Sequence, residues 1–101
     1  MTLQEFLDNK YTNEEQQNRT FIVASKSNLT SLENDGNLIN VKELNIYNNQ
    51  LKSLKGIELI PNLKHIRLYD NPLKDISDLK DLKYLEYISA SKKSLPKRYH
   101  H

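Results

Sequence analysis

Apolar residues recur in this chain with a period of 22. The stretches "LNIYNNQLKSLKGI" at 44–57 and "IRLYDNPLKDISDL" at 66–79 carry aliphatic side chains at the same places. Adding 22 to Leu44, Ile46, Leu51, Leu54, Ile57 and Ile60 gives Ile66, Leu68, Leu73, Ile76, Leu79 and Leu82. Val41, Leu63 and Leu85 open successive copies, Asn49 maps onto Asn71, and Tyr47 maps onto Tyr69. A unit this short cannot bury its own apolar stripe. Units must stack so that neighbouring stripes form one continuous core.

The period extends weakly in both directions. Subtracting 22 gives Ile22, Ala24, Leu29, Leu32 and Leu38, but Asp35 breaks the pattern and Ser27 stands in the Asn position. Adding 44 to the first copy gives Ile88, Ala90 and Leu95, with Lys93 in the Asn position. The expected organisation is a degraded copy at 19–40, two good copies at 41–62 and 63–84, and a partial copy at 85–95. Terminal copies of a stacked array are atypical because they face a cap on one side.

Each copy changes period within itself. Leu44-x-Ile46 and Ile66-x-Leu68 alternate, as a strand buried on one face does. Leu51, Leu54, Ile57 and Ile60 are then spaced by three, which suits a tight helical turn or 3₁₀ segment. Stacking places the strands side by side and parallel, about 4.8 Å apart. Asn49 and Asn71 fall where the chain turns off the strand, and their amides can satisfy backbone groups left inside the bend.

The segments "VKELNIYNNQLKSLKGIELIPN" and "LKHIRLYDNPLKDISDLKDLKY" follow the pattern L-x-x-L-x-L-x-x-N-x-L. In period and phrasing they resemble the leucine-rich repeat family, in the short 22-residue subclass found in internalins and phosphatase-regulating repeat proteins. The resemblance covers about 19–95. It implies an α/β fold: a short solenoid with parallel strands on the concave face and 3₁₀ or short turns on the convex side. It also implies a protein that holds another protein and does no chemistry of its own.

An open end of such a stack exposes its core and an unpaired strand edge. Residues 1–18 read as a helical N-terminal cap. Thr2-x-x-Glu5 and Thr12-x-x-Glu15 are capping-box spacings, and they predict helices over about 3–9 and 13–18. Leu3, Phe6 and Leu7 form one apolar helical face, read as cover for the first copy and alternatively as a partner site. At the other end Leu95 and Tyr99 are the expected plug, and 96–101 is a basic tail. His100 and His101 lack the spacing and further ligands of a metal site.

Composition limits the functional classes. The 101 residues make one domain. The absence of Cys excludes disulfides, a thiolate nucleophile and Cys-type zinc. "MTLQEFLDNKYTNEEQ" has neither the basic start nor the apolar run of a signal peptide. No stretch approaches the roughly 18 apolar residues of a membrane span. The expected location is cytoplasmic, and the initial Met with its helical cover suggests a whole gene product.

Alternation assigns the outward strand positions to four rows. They read Phe21, Glu43, His65, Tyr87; then Val23, Asn45, Arg67, Ser89; then Ser25, Tyr47, Tyr69, Ser91; and, at the turn, Lys26, Asn48, Asp70, Lys92. Nothing in the core requires Tyr47 and Tyr69. They serve either as a sheet-stabilising aromatic pair or as part of a binding surface. Tyr87, Arg67 and His65 in neighbouring rows favour the surface, since Tyr and Arg most often anchor interfaces. Glu43, Asp70, Lys26 and Lys92 read as a solvated rim.

The candidate partner-binding set is therefore Glu43, Asn45, Tyr47, His65, Arg67, Tyr69, Asp70 and Tyr87. Four strands span only about 15 Å, so the partner is a short element such as a helix or loop, or it also touches the turns near Asn48 and Asp70 or the N-terminal cover, with self-association as a third option. The alternative is single-stranded nucleic acid, with Tyr stacking on bases and Lys or Arg on phosphates. Glu43 and Asp70 on the same face argue against it, as does the near match of 15 basic to 13 acidic residues. An enzyme would rest on His65 beside Glu43, with no phosphate loop or nucleophile elbow in support. No cofactor is expected.

Overall fold

A computed structural model describes residues 1–90. Helix α1 (Leu3–Lys10) and helix α2 (Asn13–Asn18) lead into a four-stranded parallel sheet. Its strands are β1 (Phe21–Val23), β2 (Glu43–Asn45), β3 (His65–Arg67) and β4 (Tyr87–Ser89), in the order β1-β2-β3-β4. Short 3₁₀ segments at Ile57–Leu59 and Ser77–Asp81 lie between strands. The expectations for Lys92, Lys93, Leu95, Tyr99, His100 and His101, and for the tail 96–101, fall outside the described residues.

The helices begin where the sequence places them. Thr2 Oγ1 accepts from the Glu5 amide at 3.1 Å, while Glu5 Oε1 accepts from the Thr2 amide at 2.8 Å. Thr12 and Glu15 repeat the exchange at 3.1 and 2.9 Å. Reciprocal bonds of this kind satisfy two amides that a helix start leaves without partners. Leu3 and Leu7 are fully buried in the core, so the apolar face of α1 acts as cover; Phe6 and Tyr11 pack at its margin. Backbone bonds fasten this segment to the chain after β1, with Leu3 donating to Ser31 O and Gln4 to Glu33 O.

Register in the sheet advances by 22 at every step. Phe21 pairs with Glu43, Glu43 with His65, and His65 with Tyr87. The regular strands are three residues long, but pairing continues beyond them. Ile46 donates to Arg67 O at 2.8 Å and Asn48 to Tyr69 O at 3.1 Å, while Ala24 and Lys26 do the same toward Asn45 O and Tyr47 O. Lys26, Asn48 and Asp70 then all take left-handed backbone, with φ of 53°, 56° and 58°. Asn and Asp tolerate that conformation better than Lys.

Leu59, off the repeat pattern, is exposed, whereas every aliphatic residue on the pattern of the two good copies is buried, from Val41 to Leu82. So are Ile22, Ala24, Leu29, Leu32 and Leu38 of the degraded copy, whereas Leu85, Ile88 and Ala90 are only partly buried. Asn49 binds this core together. Its Oδ1 accepts from the Ser27 and Leu29 amides, and its Nδ2 donates to Ala24 O, Ile46 O and Tyr47 O. Asn71 accepts from the Leu51 amide and donates to Ile46 O, Leu68 O and Tyr69 O. Each amide thus joins its own turn to the one before. The Leu73 amide, whose acceptor one period on would be Lys93, instead donates to Asn71 O.

Two buried features carry no signal in the apolar pattern. Gly56 has φ 106°, and a Cβ there would lie 2.6 Å from Leu32 O. Asn34 Nδ2 donates to Leu32 O and to Gly56 O, closing the same contact. Gln16 is fully buried and bonds Asp8 and Tyr11 O, while Gln4 bridges Asp8, Gln16 and the Asp35 amide. Asp35, which breaks the apolar period, is thereby exposed and tied to α1 through its backbone.

Candidate functional site

The outward sheet face brings the candidate residues together. Tyr47 and Tyr69 follow β2 and β3 by two residues, and their rings stack with centroids 4.6 Å apart and planes inclined by 21°. They are half-buried, so the rings shield one another and are not fully solvated as expected from alternation alone. Stacks of this kind are worth about 0.5–1.5 kcal/mol beyond the area they bury.

Below the stack, Arg67 leans toward β2. Its Nη1 donates to Glu43 Oε2 at 2.7 Å and to Asn45 Oδ1 at 3.2 Å. This corrects two expectations. Asn45 lies on the outer face but is buried, with 8% of its surface accessible, because the Arg67 side chain crosses it. Glu43 is no freely solvated rim residue, since the same guanidinium holds its carboxylate. The pair is partly exposed, so it contributes at most about 1 kcal/mol. Its larger effect is to fix where the arginine points.

His65 occupies the next row. Its ring makes an edge contact with Tyr87, centroids 6.0 Å apart. Nδ1 lies 3.9 Å from Glu43 Oε1, and Nε2 lies 4.0 Å from Glu86 Oε2. Both separations exceed hydrogen-bond reach. Glu86 is added by the fold. Alternation assigns the position before Tyr87 away from this face, so the sequence gives no reason to group it with His65. Asp70 is exposed at the turn beyond Tyr69.

Apolar surface flanks this polar centre. Phe21 and Val23 of β1 are 38% and 39% exposed, and Tyr87 of β4 is 50% exposed. Arg19 stays off the face: it stacks on Tyr11 at 4.5 Å and donates from Nε to Phe21 O. The face thus combines a stacked tyrosine pair, an oriented arginine and apolar margins on both outer strands. Among the described residues no group of three or more His, Asp or Glu could hold a metal ion, and no helix is long and apolar enough to cross a membrane.

No protein-family model matches the chain, and no curated protein matches it.

Proposed function

We propose that the chain is a short leucine-rich-repeat solenoid that acts as a non-enzymatic protein-binding module, and that it grips its partner with the outer strand face. The solenoid reading is supported by the constant 22-residue register. It is supported too by left-handed backbone at Lys26, Asn48 and Asp70 and by asparagine bridges at the same site in the two good copies. The reading as an adaptor, inhibitor or immunity-type protein working in the cytoplasm rests on the character of the face.

The observation that carries the binding role is the Tyr47–Tyr69 stack, half-exposed beside Arg67. Tyr and Arg concentrate binding energy at the centres of interfaces, at about 2 kcal/mol or more each where they anchor. The rings are already held side by side, so a partner has little side-chain entropy left to remove. Glu43 and Glu86 around His65, with Asp70 exposed at the turn, disfavour a run of phosphates across the face as the occupant. The width of the face, about 15 Å, suits a single helix or loop, which measures about 10–12 Å across.

The test is capture of a partner from native lysate by the wild-type protein and by the Tyr47→Ala/Tyr69→Ala double variant. Loss of capture with unchanged amide spectra is expected. Undiminished capture by the folded variant would move the binding surface elsewhere.

A further inference from the structure

Arg67 uses only part of its hydrogen-bonding capacity. A guanidinium carries five N–H donors in a fixed planar fork. The two on Nη1 are directed to Glu43 and Asn45, both on β2. No described residue accepts from Nε or Nη2, and the side chain is 40% exposed. The fork is held by one corner, and its remaining donors have no partner among the described residues.

The surroundings of that edge are of one chemical kind. Because Arg67 leans to β2, its neighbour toward β4 is Ser89, a small side chain with a hydroxyl. Tyr69 lies two residues further along on the same face. The His65–Tyr87 edge contact lies on the opposite side. The position is therefore bounded by aromatic rings and carries donors from Arg67 and Ser89. Glu43 is occupied by Arg67 Nη1, and Glu86 lies beyond the His65 ring.

Resting on the strand-face reading above, we infer that the partner element presents a carboxylate side chain to the Nε–Nη2 side of Arg67. An adjacent apolar or aromatic side chain of the same element then packs on the Tyr47–Tyr69 stack. Carboxylates match two parallel N–H bonds of a guanidinium in geometry and charge. The occupant is an acidic-aliphatic or acidic-aromatic peptide segment. Its single carboxylate completes a Glu43–Arg67–carboxylate arrangement like those in which one arginine bridges two acids. A lysine at position 67 would supply charge without the fork.

The experiment selects a displayed library of random dodecapeptides on the full chain, then measures the enriched peptides against three folded variants. The result expected is enrichment of Asp or Glu next to a large apolar residue. Binding should fall roughly 10- to 100-fold for Arg67→Gln, with little rescue by Arg67→Lys, and should fall also for Tyr47→Ala/Tyr69→Ala. Enriched peptides that lack an acid and ignore Arg67→Gln, yet need the tyrosines, overturn the carboxylate inference and leave the strand-face reading standing. Peptides indifferent to all three variants overturn both. Failure to enrich any peptide, or displacement of enriched peptides by oligo-deoxythymidine at physiological salt, also overturns the inference, the latter in favour of nucleic acid. Identical amide spectra for the variants exclude misfolding as the cause.

Discussion

At the scale of the residue, one position bears more of the fold than its missing side chain suggests. Gly56 combines φ of 106° with a backbone oxygen 2.6 Å from where a Cβ would sit. Ala at this site must strain the turn and push Leu32 away, because a backbone carbonyl cannot rotate aside as a flexible side chain can. Gly56→Ala is expected to lower unfolding free energy by about 2–4 kcal/mol. Gly36→Ala, with positive φ but open space, is expected to cost about 1 kcal/mol. Urea unfolding of the two variants checks the ordering. The glycine was visible in the sequence, but its reason was not: the contact is with a residue of the preceding turn, and no local spacing encodes that.

Asn49 and Asn71 make the complementary case, in which a spacing and a chemistry together foretold the role. Each amide serves buried backbone groups on two successive turns. Removing it leaves donors and acceptors without partners in a site water cannot easily reach. Asn49 accepts two amides where Asn71 accepts one. Asn49→Ala should therefore cost more, about 3–5 kcal/mol against about 2–3 for Asn71→Ala, measured by the same denaturant titration.

At the scale of the element, the N-terminal helices illustrate how short segments become stable. Six and eight residues are too few for a helix to persist alone. Capping boxes, the burial of Leu3 and Leu7, and the Gln4–Asp8–Gln16 network hold them. The acids in these sites titrate below their ordinary values of 4.5 and 3.8. Glu5 and Glu15 are held down by bonds from the Thr2 and Thr12 amides and then by the threonine side chains. Asp8 is held down by Gln16 and then by Gln4. A carboxylate with a lowered folded-state pKa adds stability above its unfolded pKa, and that contribution is lost as pH falls through the folded value. Stability measured by urea unfolding should thus decline below about pH 4.5. Thr2→Ala and Thr12→Ala should each cost about 1 kcal/mol at neutral pH and flatten the acid limb. An unchanged limb in both variants would detach the caps from the pH response.

The strands and turns were legible for a different reason. Their signal is repeated, so an ambiguous position in one copy is fixed by its counterpart 22 residues away. Even Asp35, which looked like a break, keeps its place because Gln4 holds its backbone amide. Gln16 was hidden because a glutamine in a polar six-residue helix reads as solvent-facing. Only the approach of α1 encloses it.

At the scale of the molecule, a small α/β protein presents one sheet face whose residues come from all four strands. The register was readable, and with it the pairing of Tyr47 with Tyr69 and of Arg67 with Asn45. The interactions across rows were not. Alternation says which side chains share a face, but it does not say that Arg67 will bend toward β2, bury Asn45 and hold Glu43. That choice follows from charge and from side-chain length, and it changes the character of the face. What looked like scattered charges around two rings is an arginine already aimed, bordered by aromatics.

The central claim is that a 22-residue register sets those two rings against each other on the accessible side of the sheet. The most direct measurement is a nuclear Overhauser spectrum of the protein labelled at its tyrosines, recorded with and without a soluble paramagnetic agent. Strong cross-peaks between the Tyr47 and Tyr69 rings, parallel-strand contacts between 43–45 and 65–67, and broadening of both rings by the agent are the predicted result. Rings without mutual cross-peaks, or rings the agent cannot reach, would contradict the account.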